Sequence, residues 1–467
     1  MTDKPNILLI MSDEHRASVF GADGNPIIRT PVLDDLASRG VMFSSAYCNS
    51  PLCVPSRLSF TAGKYISRVG AWNNGCWLPV DDYPSIARAM NGAGYESVLC
   101  GKQHYDATRR YGFRDLAVNN QNGSHKTGRG GRRAPDDMSI KTNSRDARFA
   151  DFHTGEVGGV LDIDRPVTEG AVKFLAERRA DDKPFFLFTG YLAPHFPPIV
   201  PDKFWKHYEG RVPDPVIPNG HIESLPLNYQ HLRRGFGVVE TDPKMVTLGR
   251  ELHYGLTEWV DNEIGKVLAA LAASPFADNT IVIYTSDHGE NMGDHGLWWK
   301  NNMFDTAARI PLIICDPRRW RGGQRRKQVV SLVDLVKTVC QLGGAQAGDD
   351  WDGDSLLPIL NDDRAPWKDM ALSEYYSHNI CSGFTMLRLG RWKYVYHTVP
   401  ADGWPAQCEL YDMEADPDEF TNLAADPSQA ERVARMHAAM LDELGEDPQQ
   451  IEQRCRADGA RGYGRDE

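Results

Sequence analysis

The apolar residues of this chain fall mainly in short uninterrupted runs. The clearest runs occupy residues 6–12, 184–191, 279–286 and 311–315. Apolar runs of this length, bounded by polar residues, predict strands that are buried on both faces. Such strands are typical of a mostly parallel sheet covered by helices on each side.

The segments between these runs carry helix signals, either an apolar face at helical spacing or residues that start and stop helices. They are residues 30–40, 85–93, 165–179, 245–273 and 331–342. Strands that alternate with helices predict an α/β fold with a large mixed, mostly parallel sheet sandwiched by helices. We therefore expect one large α/β domain over residues 1–364.

After Gly343 the pattern changes to short strands separated by turn residues, such as residues 384–388 and 392–396. Strands joined by short turns predict antiparallel pairing. We expect residues 365–467 to form a smaller C-terminal α+β subdomain with an antiparallel sheet and a helix near residues 430–444. The tail after Gly445 is polar, and we expect it to lack a core of its own and to pack on a neighbouring subunit.

Two polar stretches interrupt the large domain, near residues 117–160 and 199–245. Long irregular segments within a compact domain are usually either functional loops or disordered. We expect both to surround a pocket. The first contains Arg129, Arg132 and Arg133, which could steer anionic substrates or belong to a solvated loop, and the sequence leaves both readings open.

The charge balance of the chain limits the classes of molecule that it is expected to bind. Lysine and arginine number 52 and aspartate and glutamate 64, so the net charge is 52 − 64 = −12, which argues against nucleic acid and anionic membranes. No apolar run is long enough to span a membrane, and the N-terminus lacks signal-peptide features. The nine cysteines are scattered and odd in number, which favours reduced thiols. We expect a cytoplasmic protein.

The most distinctive stretch is Cys53-Val-Pro-Ser-Arg57. Pro55 suits the first position of a helix, and Gly63 suits the residue just past its end. Cys53 would then lie at the mouth of a short helix, where outward-pointing N–H groups favour an anion. Arg57 follows four residues later. Taken alone, the pair is more often a buried cysteine and a surface arginine.

Acidic residues follow two buried strands that are far apart in sequence. Asp13 and Glu14 come after the first strand, and Asp287 and His288 follow the strand at residues 279–286. Ligands gather beyond the carboxyl ends of strands in open α/β sheets. If the two strands are neighbours, these side chains form a divalent-metal site, although an acid after a strand can also be only a helix cap.

Several cationic or titratable residues also follow predicted strands or lie in the loops after them: Lys102, His104, His195 and Lys300. Each one taken singly would more often be an ordinary surface residue. Together with Cys53 and the acidic residues, they indicate a site for a tetrahedral anion. A net-negative protein needs such locally placed cations to bind an anionic group.

These segments, in this order, resemble the signatures of the type I sulfatases of the alkaline phosphatase superfamily. Cys-X-Pro-Ser-Arg resembles the family's modification signature, Gly101-Lys102 its second signature, and Ser286-Asp287-His288-Gly289 its metal segment. The stretch from Tyr47 to Cys53 and the Asp-His pair look most like the choline-sulfatase, arylsulfatase and phosphonate monoester hydrolase branch. An alkaline-phosphatase-like fold is implied.

The resemblance implies the roles of the site residues. Cys53 would be converted to formylglycine by a formylglycine-generating enzyme. One divalent metal would be held by Asp13, Glu14, Asp287, His288 and the group at position 53. Calcium is the family's usual metal, and the imidazole of His288 keeps manganese as the alternative. The implied contacts to the nucleophile or the sulfuryl oxygens come from Arg57, Lys102, His104, His195 and Lys300.

We therefore expect a sulfatase that hydrolyses small aryl or alkyl sulfate monoesters, and a homo-oligomer, either a dimer or a tetramer. One alternative is a phosphonate monoester or phosphodiester hydrolase on the same scaffold, possible also as a promiscuous activity, since the same cations fit tetrahedral phosphorus. A second alternative is a metal-dependent protein that binds oxyanions without turnover.

Overall fold

The structure is a computed structural model that describes residues 4–118, 147–316 and 318–462. Its strands, in chain order, are β1 Asn6–Asp13, β2 Val41–Tyr47, β3 Glu96–Gly101, β4 Arg114–Asp115, β5 His153–Thr154, β6 Phe185–Pro194, β7 Ile199–Val200, β8 Thr280–Ser286, β9 Arg309–Cys315, β10 Gln324–Ser331, β11 Met370–Tyr375, β12 Phe384–Leu389, β13 Trp392–His397 and β14 Gln407–Asp412.

Helices connect and cover these strands. They are α1 Pro31–Arg39, α2 Cys53–Ala62, α3 Ile66–Val69, α4 Ile86–Gly92, α5 Gly159–Glu177, α6 Asp202–Trp205, α7 His221–Ser224, α8 Leu227–Gly235, α9 Pro243–Ala272, α10 Asp305–Ala308, α11 Leu332–Gly343, α12 Leu357–Asn361, α13 Ala430–Leu444 and α14 Pro448–Ala460. Short 3-10 helices lie at Gly21–Asp23, Ala147–Asp151, Ala277–Asn279, Asp294–Gly296 and Pro427–Gln429.

The central sheet has eight strands in the order β10-β2-β9-β8-β1-β6-β3-β4. Its neighbouring strands are parallel except that β9 runs antiparallel to β2 and β8. The apolar runs noted in the sequence are its central strands, and all eight residues of β1 are buried. The predicted fold class, a mixed and mostly parallel sheet with helices, is confirmed.

Helices cover both faces of this sheet, because alternate residues of each strand face opposite sides. Leu9 of β1 belongs to the core that includes Leu58 of α2 and Val339 of α11. Leu8 belongs to the opposite core, which includes Leu36 of α1 and Leu256 of α9. Both faces of β1 are thus closed to water, and only its ends can reach a ligand.

The second sheet is antiparallel, with strands in the order β11-β12-β13-β14, as the short-strand pattern predicted. Helix α13 packs on it through Met436 and Met440. The Glu374 N–H on β11 donates to the Asn49 carbonyl at 2.9 Å. This contact joins the small sheet to the loop that leads to Cys53. The boundary near residue 364 stays a prediction.

The polar tail after Gly445 was expected to lack a core, but residues 448–460 form α14, which packs on the chain itself, while contact with a neighbouring subunit stays a prediction. Ile451 and Cys455 join the large core. Glu452 accepts a hydrogen bond from the Gly383 N–H at 2.9 Å, and Asp458 accepts one from Trp72 Nε1 at 2.7 Å. Two apolar residues and a few buried polar contacts therefore attach α14, which a search for continuous apolar faces does not detect.

The two predicted insertions have different outcomes. The first insertion is described only in part. Residues 119–146 lie outside the described residues, and these include Arg129, Arg132 and Arg133. The second, residues 199–245, contains β7 and three short helices before α9 begins at Pro243. Across the described ranges, no helix is both long and apolar enough to cross a membrane.

Candidate active site

The carboxyl ends of β1 and β8 lie side by side, as the two acidic segments predicted. Ser12 pairs with Ser286, so Asp13 and Asp287 leave the sheet at the same edge. The Glu14 N–H donates to Asp287 Oδ1 at 3.2 Å. Glu14 has a φ of 69°, which turns the chain sharply after Asp13. Two strands separated by more than half the chain thus bring their acidic residues together.

Cys53 lies at the first position of α2, with Leu52 as the extended residue before it. The prediction that Pro55 starts this helix was wrong by two residues. Pro55 is tolerated at the third position because the first N–H groups of a helix need no intrahelical acceptor. The first helical hydrogen bond runs from Ser56 N–H to the Leu52 carbonyl at 3.0 Å, and Gly63 ends the helix with a φ of 65°, as predicted.

The Cys53 side chain is buried against the metal-ligand candidates. Its Sγ lies 3.2 Å from His288 Nε2 and 3.6 Å from Asp13 Oδ1. Burial, and then the charge of Asp13, raise the pKa of the Cys53 thiol to about 12. The Nδ1 of His288 lies 3.0 Å from the Gly289 carbonyl. This contact makes Nδ1 the donor toward the carbonyl and turns Nε2 toward Cys53.

Arg57 is fully buried, and its N–H groups donate hydrogen bonds to acceptors of the protein itself. Its Nε donates to Asp287 Oδ2 at 2.7 Å, and Nη2 donates to Asp13 Oδ2 at 3.2 Å. Its Nη1 donates to the Lys102 carbonyl at 2.8 Å. Each aspartate therefore gives one oxygen to Arg57 and turns the other toward Cys53 and His288. The resemblance implied that Arg57 contacts the nucleophile or the sulfuryl oxygens. Its described partners are the two carboxylates, the Lys102 carbonyl and Gln103 Oε1.

Lys102 and His104 follow β3 in the loop that lies beside Asp13. Lys102 Nζ lies 2.5 Å from Asp13 Oδ2. Burial alone would raise the pKa of Asp13, but Lys102, His195 and Arg57 hold this pKa well below its usual range. His104 is buried and has a φ of 60°. Its contact with the nucleophile or the sulfate stays a prediction.

Lys300 and His195 form the opposite wall of the cluster. Lys300 Nζ lies 3.0 Å from Glu14 Oε2 and 3.0 Å from His195 Nε2. His195 is placed by Asp164, whose carboxylate accepts the N–H groups of Leu192 and Ala193 at the end of β6. The Nε2 of His195 faces the cluster because its Nδ1 contacts the Phe196 carbonyl at 2.5 Å. These contacts join nine of the predicted site residues into one cluster: Asp13, Glu14, Cys53, Arg57, Lys102, His195, Asp287, His288 and Lys300.

The residues of this cluster fit a divalent cation. Ligand atoms of Asp13, Cys53, Asp287 and His288 all lie within 4.8 Å of one another, and those of Asp13, Glu14 and His195 form a second such group. Glu14 Oε1 is buried and has no hydrogen-bond partner among the described residues. A buried carboxylate oxygen without a partner is costly unless a cation or water compensates it.

Two buried polar residues of this region were not predicted. Gln103 Oε1 accepts from Arg57 Nη1 at 3.3 Å. Glu290 Oε1 accepts the N–H groups of Met292 and Trp299, at 2.9 and 2.7 Å, and so shapes the loop that carries Lys300. Glu290 follows the Asp-His-Gly segment directly, and this position could have indicated that Glu290 lies at the site. No sequence pattern marked Gln103 as a site residue, because its contact with Arg57 depends on where Arg57 lies in the fold.

Comparison with known proteins gives matches over nearly the whole chain. Residues 5–345 match the family described as Sulfatase, and residues 293–446 match the one described as N-sulphoglucosamine sulphohydrolase, C-terminal. The chain is similar to a choline-sulfatase of Rhizobium meliloti (strain 1021), with 30% identity over 91% of this chain and 83% of that protein.

Two further similarities come from an enzyme sequence and a solved structure. An arylsulfatase of Clostridium perfringens (strain 13 / Type A) is 27% identical, over 94% of each chain. The crystal structure of the phosphonate monoester hydrolase of Agrobacterium radiobacter superposes with a TM-score of 0.77 at 22% identity, over 95% of this chain and 96% of that one. At that identity the structural similarity supports the fold alone.

Proposed function

The chain belongs to the sulfatase family and is a sulfuric ester hydrolase, and on this premise we propose that it hydrolyses aryl or small alkyl sulfate monoesters through a formylglycine made from Cys53. The observation that carries this proposal is the position of Cys53 Sγ, 3.2 Å from His288 Nε2 and 3.6 Å from Asp13 Oδ1. Membership in an enzyme family argues against the alternative of a protein that binds oxyanions without turnover.

Asp13, Asp287 and His288, with Glu14, are proposed to hold one divalent cation. The carboxylates favour calcium, whereas the imidazole of His288 favours manganese as the alternative. Such a cation would stabilise negative charge on the sulfuryl oxygens and would lower the pKa of a hydroxyl beside it. Arg57 and Lys102 hold the pKa of Asp13 below its usual range, whereas burial raises the pKa of Asp287 in spite of the same two cations, so a bound divalent ion would favour the ionised form of Asp287.

In this proposal the Cys53 sulfur marks the place of the nucleophilic hydroxyl. Formylglycine at position 53, once hydrated, would supply two hydroxyls. One would serve as the nucleophile toward sulfur, with the alcohol leaving as the S–O bond to it breaks, and the second would lose its proton so that the C–O bond to sulfate could break. A formylglycine-generating enzyme is the partner that maturation requires. Lys300 Nζ and His195 Nε2 share one edge of the site, where a Lys300 N–H can stabilise the sulfuryl charge. We assign protonation of the leaving alcohol to this pair.

Two measurements test the proposed function. The protein, produced together with a formylglycine-generating enzyme, should hydrolyse 4-nitrophenyl sulfate, and the peptide containing residue 53 should have the mass of formylglycine rather than cysteine. An aryl phosphonate monoester assayed in parallel tests the alternative hydrolase. A much higher kcat/KM for the phosphonate would overturn the preference for sulfate.

Lys300→Ala should reduce kcat/KM for 4-nitrophenyl sulfate by roughly a hundredfold, the scale expected on removing one preorganised donor. In protein loaded with the proposed divalent ion, the thermal unfolding midpoint and metal content should change little, because the ion compensates the buried Glu14 carboxylate that Lys300 pairs with at 3.0 Å. Lys173→Ala on the exposed face of α5 is the matched control. Near-normal kcat/KM in Lys300→Ala would mean that another cation binds the sulfuryl group.

Elemental analysis should find about one divalent ion per chain in active protein, and a chelator should lower both activity and the unfolding midpoint. Asp287→Asn should lose the ion. Asp261→Asn is the control, because Asp261 is a buried carboxylate that accepts backbone N–H groups of Val32 and Leu33 instead. Active protein without a stoichiometric divalent ion would exclude the proposed metal site.

A further inference from the structure

Lys300 lies in a loop whose backbone conformation is unfavourable. We call residues 291–301 the lysine loop. Four of its residues other than glycine have a positive φ: Met292 at 51°, His295 at 56°, Trp299 at 68° and Asn301 at 83°. Residues with a side chain seldom adopt this left-handed region. Such a conformation persists only where the surrounding structure imposes it, so other groups must hold the lysine loop in place.

One oxygen of Glu290 holds two of these four residues. Glu290 Oε1 accepts the Met292 N–H at 2.9 Å and the Trp299 N–H at 2.7 Å. Glu290 is only 3% exposed, so water competes little for this oxygen. Hydrogen bonds from backbone N–H groups to a carboxylate are among the stronger ones in proteins. The Glu290 side chain thus closes the lysine loop, with Met292 near its start and Trp299 directly before Lys300.

Glu290 acts on the lysine loop from a backbone that is itself fixed. A Cβ atom on the preceding residue, Gly289, would lie 2.2 Å from the Thr306 carbonyl oxygen, so the two chain segments pass too close for any other residue there. Asn291 adds a second restraint, because its N–H and its Nδ2 both donate to the Trp299 carbonyl at 2.8 Å. Removal of the Glu290 carboxylate should therefore loosen the loop without releasing it completely.

The position of the Lys300 ammonium depends on the lysine loop. Lys300 Nζ lies 3.0 Å from two groups of the cluster, Glu14 Oε2 and His195 Nε2. Directly after Lys300, the Asn301 N–H donates to the Pro51 carbonyl at 3.1 Å. Pro51 lies two residues before the proposed nucleophile. The lysine loop thus fixes the backbone of Lys300 relative to the nucleophile as well as to the acidic residues.

We propose that Glu290 is a positioning residue, which holds the lysine loop in its left-handed conformation and so places the Lys300 ammonium where the sulfuryl charge develops. The inference rests on the proposed function, in which Lys300 stabilises that charge. Glu290 acts on the backbone of the loop, and Lys300 acts on the substrate. The loss of Glu290 should therefore remove a large part of the Lys300 contribution to the rate, and no more than that contribution.

A second route for Glu290 would run through the proposed metal. Burial raises the pKa of Glu14, Lys300 lowers it and Glu290 raises it again, so Glu290 lies near this candidate ligand. The two routes have different outcomes. An effect through the metal lowers the ion content of the protein, whereas an effect through Lys300 disappears when Lys300 is absent.

The test is a double-mutant cycle of Glu290 and Lys300, assayed with metal-loaded protein and 4-nitrophenyl sulfate. Glu290→Ala should lower kcat/KM about thirtyfold, the scale of a small displacement of a positioned group, with unchanged ion content. The variant that combines Glu290→Ala with Lys300→Ala should match Lys300→Ala within about threefold, because Glu290 then has no ammonium to place. Glu290→Gln keeps an oxygen acceptor for both N–H groups and should retain kcat/KM within about threefold.

Amide hydrogen exchange gives a readout that needs no turnover. The Met292 and Trp299 amides should exchange about tenfold faster in Glu290→Ala than in wild-type protein, and Glu290→Gln should keep the wild-type protection. Glu251→Ala is the matched control, because Glu251 is also buried and accepts the Gly210 N–H at 2.6 Å in another loop. Its kcat/KM should stay at the wild-type level.

Losses that multiply in the double variant, loss of the ion in Glu290→Ala, or wild-type kcat/KM in Glu290→Ala would each overturn the proposal. If Glu290→Ala does not fold, Glu290→Asp takes its place in the cycle, because its shorter side chain draws the same acceptor away from both N–H groups. Failure of wild-type protein to hydrolyse any sulfate ester would instead refute the proposed function, and the exchange rates would still test the restraint of the loop.

Discussion

Cys53→Ala is expected to abolish sulfate ester hydrolysis, lowering kcat by roughly 10⁴-fold or more, the scale of removing a catalytic nucleophile. The fold should remain, because the substitution removes one sulfur atom from a polar cluster. We expect the free energy of unfolding to change by less than about 1.5 kcal/mol, as for other small deletions in protein cores. Turnover of 4-nitrophenyl sulfate and urea unfolding measure the two effects.

Cys48→Ala is the matched control, because Cys48 is equally buried and lies five positions before Cys53 in the same chain segment. It should keep full turnover. Residual activity in Cys53→Ala near the wild-type level would remove position 53 from the mechanism. A loss of stability clearly larger than in Cys48→Ala would assign Cys53 to the core instead.

Arg57→Ala should lose activity and also stability, by about 3–5 kcal/mol, the usual effect of removing one partner from a buried ion pair. Asp13 and Asp287 would be left as buried carboxylates without their shared guanidinium, and four hydrogen-bond acceptors would lose a donor. The loss of stability should be greater after chelation, because a bound cation compensates the same carboxylates. Denaturant unfolding with and without chelator measures both values.

Arg88→Ala is the control for this second prediction, since Arg88 pairs with Asp81 at the surface and such pairs contribute about 1 kcal/mol or less. Wild-type stability of chelated Arg57→Ala would contradict the view that Arg57 organises the two aspartates. In that case the guanidinium would belong to the substrate, as the resemblance implied.

The positions of the candidate site residues were largely predictable, because they follow strands whose apolar runs are easy to detect. Asp13 and Asp287 meet because β1 and β8 are neighbours, and two fully buried strands that each end in an acid favoured that arrangement. The side-chain partners were not predictable in the same way. Whether Arg57 faces the substrate or the carboxylates depends on the placement of α2 against β8, which no local pattern encodes.

Local patterns also failed where few residues determine the packing. The start of α2 was misplaced because proline is compatible with several positions in a first turn. The helix α14 was missed because Ile451 and Cys455 are its only fully buried apolar residues apart from Pro448.

The long separation of Cys53 from the residues that bury it bears on the timing of biosynthesis. Cys53 and His288 are 235 positions apart, so a ribosome adding 5–20 residues per second needs roughly 10–50 s to make the intervening chain. Until the segment after β8 has emerged, the helix that begins at Cys53 lacks the Asp287 and His288 groups that its first two turns contact. A modifying enzyme that requires an extended peptide therefore has this interval in which to act on the nascent chain.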